Sequence, residues 1–258
     1  MAPTTRTQCL LALDVGNTSV KGAWITRDAI RPVLRVPTRP VEDLPDRLRT
    51  ALASPDLPCG LRCLVASVCP AADGAIAAAL EPRARPEFFG RDLAVPLTAL
   101  VRHPGRVGVD RLLLALAARE EAGAPCIVVS AGTAITVDLV DPEGRFAGGA
   151  IAPGLALGAR ALHASTALLP RVTPRVPATA VGTDTDSAVA SGVYWACAGG
   201  VTALAARYRD LPGCDCAPLV CTGTDAPLLL GALPEPGTRH VSDLIFRGMA
   251  RAVAAAAG

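Results

Sequence analysis

Charge of one sign is the first thing this sequence lacks. Its 25 Lys and Arg residues stand against 23 Asp and Glu, a net charge of +2. That is too near neutral for nucleic acid or an anionic membrane to be the main partner. There is no basic stripe and no helix-turn-helix pattern. No apolar run reaches the length of a membrane span, and the alanine-rich AVAAAAG at 252–258 is short. Residues 1–17, MAPTTRTQCLLALDVGN, lack the apolar core of a signal peptide, because the apolar stretch runs straight into Asp14. These absences point to a cytoplasmic protein with neither nucleic acid nor membrane as partner. An even cysteine count is also missing. Nine cysteines, at 9, 59, 63, 69, 126, 197, 214, 216 and 221, argue against a disulfide framework in such a chain. Cys214-Asp215-Cys216 is the nearest thing to a metal cluster, but it has no second pair at zinc-ribbon spacing and no nearby His. The cysteines read as reduced thiols, several packed as small hydrophobes. What the chain does have is apolar mass: 51% hydrophobic against 19% charged over 258 residues, enough for one large or two modest domains.

Residues 10–14 (LLALD) and 20–25 (VKGAWI) flank a VGNTS turn and read as a hairpin. A third strand follows at 33–38, then a helix over 41–53 despite Pro45. A buried strand at 62–68, a helix at 71–81 and a short strand at 86–90 complete the first half. A Pro- and Arg-rich loop leads through HPGRVGVDR into a helix over 112–123, closed by Gly123. The pattern then restarts. Residues 126–130 and 134–140 form a second hairpin, DPEG (141–144) is a turn with Gly last, and 145–154 is a Gly-rich third strand. Helices follow over about 155–164 and 184–209, then a strand in APLVCTG, a helix, a short strand and a last helix. This is a duplicated α/β architecture with a boundary near 120–125, giving domains 1–122 and 123–258. Two such domains would face each other across a ligand cleft.

The chemistry sits at the two hairpin turns. A Gly-Asn-Thr turn exposes backbone N–H groups and a hydroxyl, a concavity suited to phosphate oxygens. Asp14 would repel phosphate unless a cation lies between them, which implies Mg²⁺ or its water shell. Lys21 can help neutralise the nucleotide. The second copy, SAGTAIT, carries Ser130 where the first carries Asp14. Two phosphate loops would clamp one nucleotide from both domains.

DVGNTSVKGAW, HPGRVGVDR, SAGTAITVDLVDPEGRFAGGAIAPGL with TALLP, GTDTDSAVASGVYWA and CTGTDA follow one another over about residues 10–250. In that order they resemble the type III pantothenate kinases of the sugar kinase, Hsp70 and actin superfamily. The resemblance implies duplicated actin-like (ribonuclease H-like) domains, each a mixed sheet flanked by helices, with the active site in the interdomain cleft. It implies ATP-dependent phosphorylation of pantothenate to 4′-phosphopantothenate, the first step of coenzyme A synthesis, by a homodimer using Mg²⁺ and a monovalent cation, K⁺ or NH₄⁺. Carried over by position, Asp14, Gly16, Asn17, Thr18 and Lys21 form the first phosphate motif, with Asp14 toward the Mg²⁺-nucleotide. Asp110 is the general base taking the pantothenate hydroxyl proton, with Gly108 and Arg111 beside the substrate. Gly132 and Thr133 contact ATP, Thr185 contacts the substrate, and Gly223 belongs to the adenosine loop. Gly148, Gly149 and Gly154 lie where backbone passes close to ligand or to another strand.

The sequence departs from the family at several places. Ser130 replaces the Asp assigned to the monovalent cation; it keeps an oxygen ligand and loses the charge. Val101 and His103 replace a Tyr and an Asn. Asp184 replaces an Asn beside Thr185, and Thr224 takes a Gly position of the adenosine loop, narrowing backbone freedom there. Two other readings therefore accompany the kinase: a catalytically weakened relative acting as a regulatory or accessory binding protein, and a kinase for another small hydroxyl compound. The apolar helix at 187–206 is a plausible dimer face or an internal helix.

Overall fold

The structure is a computed structural model and describes residues 9–53, 61–81, 83–233 and 238–256. The chain divides into two compact units. Unit 1 takes Met1–Pro96, Gly105–Ala117 and Ile245–Gly258; unit 2 takes Leu97–Pro104 and Ala118–Leu244. The sequence boundary at 122/123 is a single cut; these units instead exchange two segments, residues 97–104 and the last helix.

Unit 1 is built on one five-stranded sheet. Strands β1 (Leu10–Val15), β2 (Ser19–Ile25) and β3 (Ile30–Pro37) form an antiparallel meander, and β4 (Arg62–Ser67) and β5 (Pro86–Phe88) add in parallel beyond β1, giving the order β3-β2-β1-β4-β5. Parallel strands need crossovers, which α1 (Leu44–Ala51) and α2 (Pro70–Leu80) supply. Helix α1 is shorter than the expected 41–53: Pro45 sits in its first turn, where a missing N–H costs nothing, so the helix starts there. Alternation along β1 sends Leu11, Leu13 and Val15 into a core with Leu44, Leu48 and Ile76. Leu13 has no exposed surface, and its truncation to Ala would cost about 2–5 kcal/mol. Helix α3 (Val109–Ala122) begins three residues before the expected 112, after a short 3₁₀ turn at Pro104–Arg106. The last helix, α7 (Leu244–Ala256), packs on α3 so closely that a Cβ at Gly248 would strike the carbonyl of Leu113.

Unit 2 repeats the plan. Strands β6 (Cys126–Ala131), β7 (Ala134–Val140) and β8 (Phe146–Pro153) are the meander; β9 (Leu219–Thr222) and β10 (Arg239–His240) continue it in parallel, in the order β10-β9-β6-β7-β8. Helices α4 (Leu155–Ser165), α5 (Thr185–Arg209) and α6 (Ala226–Leu230) fill the connections. Ile127, Val129, Ile135 and Val137 meet α5 through Val193, Tyr194, Ala198 and Val201. Tyr208 of α5 donates its hydroxyl to the Val137 carbonyl at 3.1 Å. Contrary to the sequence expectation, α5 is by length and composition apolar enough to cross a bilayer. Its hydropathy comes from many small residues rather than a few large ones, and one side packs on the sheet as a core helix does.

Candidate active site

Asp14 stands near the end of β1, the central strand of unit 1, opposite Lys21 on β2 and Ala66 on β4. Its neighbours Leu13 and Val15 point into the core, so its carboxylate lies on the other face. Lys21, the only lysine in the sequence, holds its Nζ 3.7 Å from Asp14 Oδ2. Burial pushes the Asp14 carboxyl up to about 6; Lys21 pulls it down, and the charge on Asp110 adds to the rise. Asp14 and Asp110 therefore feel each other. The turn after β1 closes through the Gly16 N–H, which donates to the Ser19 carbonyl at 3.1 Å. Asn17 and Thr18 are exposed at its tip.

Asp110 falls in the first turn of α3. Its Oδ1 accepts from the Arg111 N–H at 2.8 Å. Burial raises its pKa, against the opposing pull of that N–H and of the Arg111 guanidinium. The role of Gly108 is steric: a Cβ there would lie 2.5 Å from Asp110 Oδ1. The carboxylate fills the place a side chain at 108 would need. A carboxylate with a raised pKa at a helix start is a better proton acceptor than an ordinary surface Asp.

In unit 2 the β6–β7 turn presents Gly132 and Thr133. A Cβ on Gly132 would meet nothing within 4 Å, and Thr133 is exposed. The back of the turn is crowded instead. The Gly154 N–H donates to the Thr133 carbonyl at 3.0 Å, and a Cβ at Gly154 would collide with the Gly132 carbonyl. Gly223, at φ +100°, likewise lies against the backbone of Ala131, where no side chain fits. The Asp225 N–H donates to the Ala131 carbonyl at 3.0 Å. The expected adenosine loop thus rests directly on the second phosphate loop. The left-handed position there is Gly223; Thr224 keeps ordinary backbone, since no described non-glycine residue has positive φ. Position 224 therefore did not need its glycine.

Other departures also find local explanations. Asp184 caps α5, accepting from the Ser187 N–H at 2.8 Å while Ser187 Oγ accepts from the Asp184 N–H at 3.1 Å, and the Ser187 N–H, followed by the Ser187 hydroxyl, lowers its pKa. An Asp serves that cap as well as an Asn. Thr185 is exposed at the first turn of α5 and none of these contacts joins it to the phosphate loop. Val101 packs toward Gly148, whose φ is +106°, and His103 is exposed. Gly149 has no space for a Cβ beside Asp138 and the Val137 carbonyl.

Ser130 pairs with Thr136 on β7 and with Thr222 on β9, so three hydroxyls form a row across one face of the sheet. Thr136 Oγ1 is buried and has no hydrogen-bond partner. Asp138, two residues along β7 and 2% exposed, brings a carboxylate to that face. Oxygen donors and an orphaned hydroxyl suit a monovalent cation, which trades its hydration shell for such ligands. Asp14, with Asp110 in electrostatic reach, suits a hard divalent ion. Among the described residues no group of three or more His, Cys, Asp or Glu could hold a metal. Eight cysteines are free thiols, with Cys214 buried and Cys216 exposed; Cys59 lies outside the described residues.

Sequence reasoning passed over Thr136, Thr222 and Asp138. Strand alternation from Ser130 was the signal that could have found them. Thr38, fully buried with its hydroxyl 2.7 Å from the Gly16 carbonyl, was also missed, and nothing in its sequence context marks it.

Solved structures give the fold. A conserved Baf family protein of Campylobacter jejuni superposes with a TM-score of 0.62 at 18% identity, over 96% of this chain and 99% of that one. The ethanolamine utilization protein EutJ of Carboxydothermus hydrogenoformans gives 0.54 at 13%, over 97% and 90%. At these identities the likeness is of fold alone, the duplicated actin-like ATPase fold. Sequence relatives are more specific. The type III pantothenate kinase of Acidobacterium capsulatum is 36% identical over 235 residues, 86% of each chain. That of Paramagnetospirillum magneticum is 35% identical over 253 residues, 93% of this chain and 95% of its own. The family model for type III pantothenate kinase matches residues 10–207, which contain both hairpins, the GVDR turn and the start of α5. With that match and those full-length relatives, the chain belongs to the type III pantothenate kinase family.

Proposed function

We propose that this chain transfers the γ-phosphoryl group of ATP to the hydroxyl of pantothenate, giving 4′-phosphopantothenate, the first step toward coenzyme A. The observation that carries the reading is the Asp110 carboxylate, seated against Gly108, fixed by the Arg111 N–H and raised in pKa. Phosphoryl transfer needs positioning and charge neutralisation more than covalent chemistry, and the acceptor proton can leave late. Asp110 orients the hydroxyl and accepts its proton. Arg111, next to it, holds the acceptor. Asn17, Thr18 and Lys21 serve the nucleotide phosphates from unit 1. Gly132 and Thr133 serve them from unit 2, with Gly223 beside the adenosine. Thr185 contacts the acceptor.

Asp14 would hold Mg²⁺, which when bound neutralises phosphate charge. Ser130, with Thr136 and Thr222, would hold the monovalent cation. The working form we propose is a homodimer joined through α4 and α5. Trp195 of α5 and Leu157 and Leu162 of α4 are exposed there, and Leu162, Gly158, Ala196 and Gly200 line an apolar pocket of ≈ 300 Å³. Sedimentation of the purified chain reads that mass. This reading places the protein in the cytoplasm, which supplies its ATP.

The test is a coupled ADP-release assay with Mg²⁺-ATP and pantothenate, run once in K⁺ and once in Na⁺ alone. ADP release that requires pantothenate is the expected result. ATP or pantothenate binding by calorimetry without turnover would turn the reading toward an accessory binding protein.

A further inference from the structure

The first phosphate loop is shaped from behind by a residue that no motif contains. Thr38 follows β3 and has no exposed surface. Its hydroxyl donates to the Gly16 carbonyl at 2.7 Å, and its N–H donates to the Thr18 carbonyl at 3.1 Å. One residue therefore holds two carbonyls of the loop. A trans peptide is planar and sets its N–H opposite its C=O. With the Gly16 and Thr18 carbonyls turned to Thr38, the N–H groups of Asn17 and Ser19 are aimed away from it. Those are the groups a phosphate loop has to present. Thr38 is itself held from α1. Arg47 Nη1 donates to the carbonyls of Pro37, Arg39 and Pro40 at 3.2–3.3 Å, and its Nη2 reaches Asp43 at 3.0 Å.

We infer that Thr38 is a positioning residue for the nucleotide, fixing the direction of the loop N–H groups, and that Arg47 braces it. The inference rests on the kinase reading for its place in the reaction. Its own content is nucleotide affinity, which does not need an acceptor. Thr38→Val keeps shape and volume and removes the hydroxyl, taking from the part-buried Gly16 carbonyl the donor that Thr38 gives it. A loss of that kind weakens ATP binding about tenfold. The KM for ATP rises with the Kd from calorimetry, while the KM for pantothenate stays within about twofold. Thr38→Ser restores the hydroxyl and the affinity.

Arg47→Met raises the ATP Kd in the same direction by a smaller factor. Arg49→Met, which frees the Ala78 carbonyl that Arg49 holds at 2.9 Å from the same helix, leaves it unchanged. If Thr38→Val does not fold, Arg47→Met against Arg49→Met carries the test. Unchanged ATP affinity in the soluble variants, equal shifts in both KM values, or no rescue by Ser would each overturn the inference. A wild-type chain that binds ATP but does not phosphorylate pantothenate would defeat the kinase reading and leave this one standing on the calorimetry.

Discussion

The two hairpins occupy matching places in two matching sheets, and they differ in one row of side chains. In unit 1 that row is Lys21, Asp14 and Ala66; in unit 2 it is Thr136, Ser130 and Thr222. One row carries an ion pair and the other carries three hydroxyls. The difference is energetic as well as chemical. A buried carboxylate is costly: burial pushes Asp14 up to about 6, Lys21 offsets this only in part, and the Asp110 charge adds to the rise. The hydroxyl row avoids that cost, and in return leaves Thr136 Oγ1 without a partner. Duplication supplied one frame twice; the charge was kept where the divalent ion and the acceptor chemistry are expected.

The largest effect should come from separating the base from the charge row. Asp110→Asn keeps size and removes the proton acceptor, and kcat should fall by about 10²–10⁴-fold with the ATP Kd nearly intact. Steady-state kinetics beside calorimetry reads this, and full retained turnover would remove Asp110 from the role. Asp14→Asn breaks the comparison directly. Turnover should be lost, yet the fold should gain about 1–3 kcal/mol at pH 7.5. A raised carboxylate pKa means the folded state grips the proton more tightly than the unfolded chain. Stability from this group is therefore fullest below the ordinary value of 3.8 and is lost as pH rises to about 6. Thermal melts of wild type and variant should converge toward pH 4, part as pH rises to about 6, and keep a constant gap above it. Ser130→Asp sharpens the comparison by giving unit 2 its carboxylate. The effect should be smallest: K⁺ affinity up on the order of tenfold, seen as a steeper K⁺ dependence of rate and as melting restored by K⁺ but not Na⁺. If neither changes, the row is not a cation site.

Much of this was legible. Apolar runs flanking a Gly-centred turn found both hairpins because β1 and β6 are central strands buried on both faces, and turn chemistry found Gly16 and Gly144, while Gly223 was found only through the family resemblance. The start of α3 was not found, because Val109, Asp110 and Arg111 carry no apolar period; the first turn is closed by hydrogen bonds from the Arg111 and Leu112 N–H groups to the Gly108 carbonyl. Thr38 and Thr136 stayed hidden for a different reason. Each matters through a partner far along the chain or across the sheet, and a lone threonine in a strand or just past its end looks like every other. The membrane-length apolar character of α5 escaped because it is spread over alanines, glycines and valines.

The order in which the chain visits its two units has a consequence for synthesis. Helix α3, which carries Asp110, is laid down early, yet its close neighbour α7 is translated only after all of Ala118–Leu244. When the strands and helices of unit 2 have been synthesised, unit 1 still lacks the helix that packs on α3. The last contact of the core around α3 therefore spans the whole of unit 2 in sequence, so closing unit 1 is the long-range step of folding and closing unit 2 the local one.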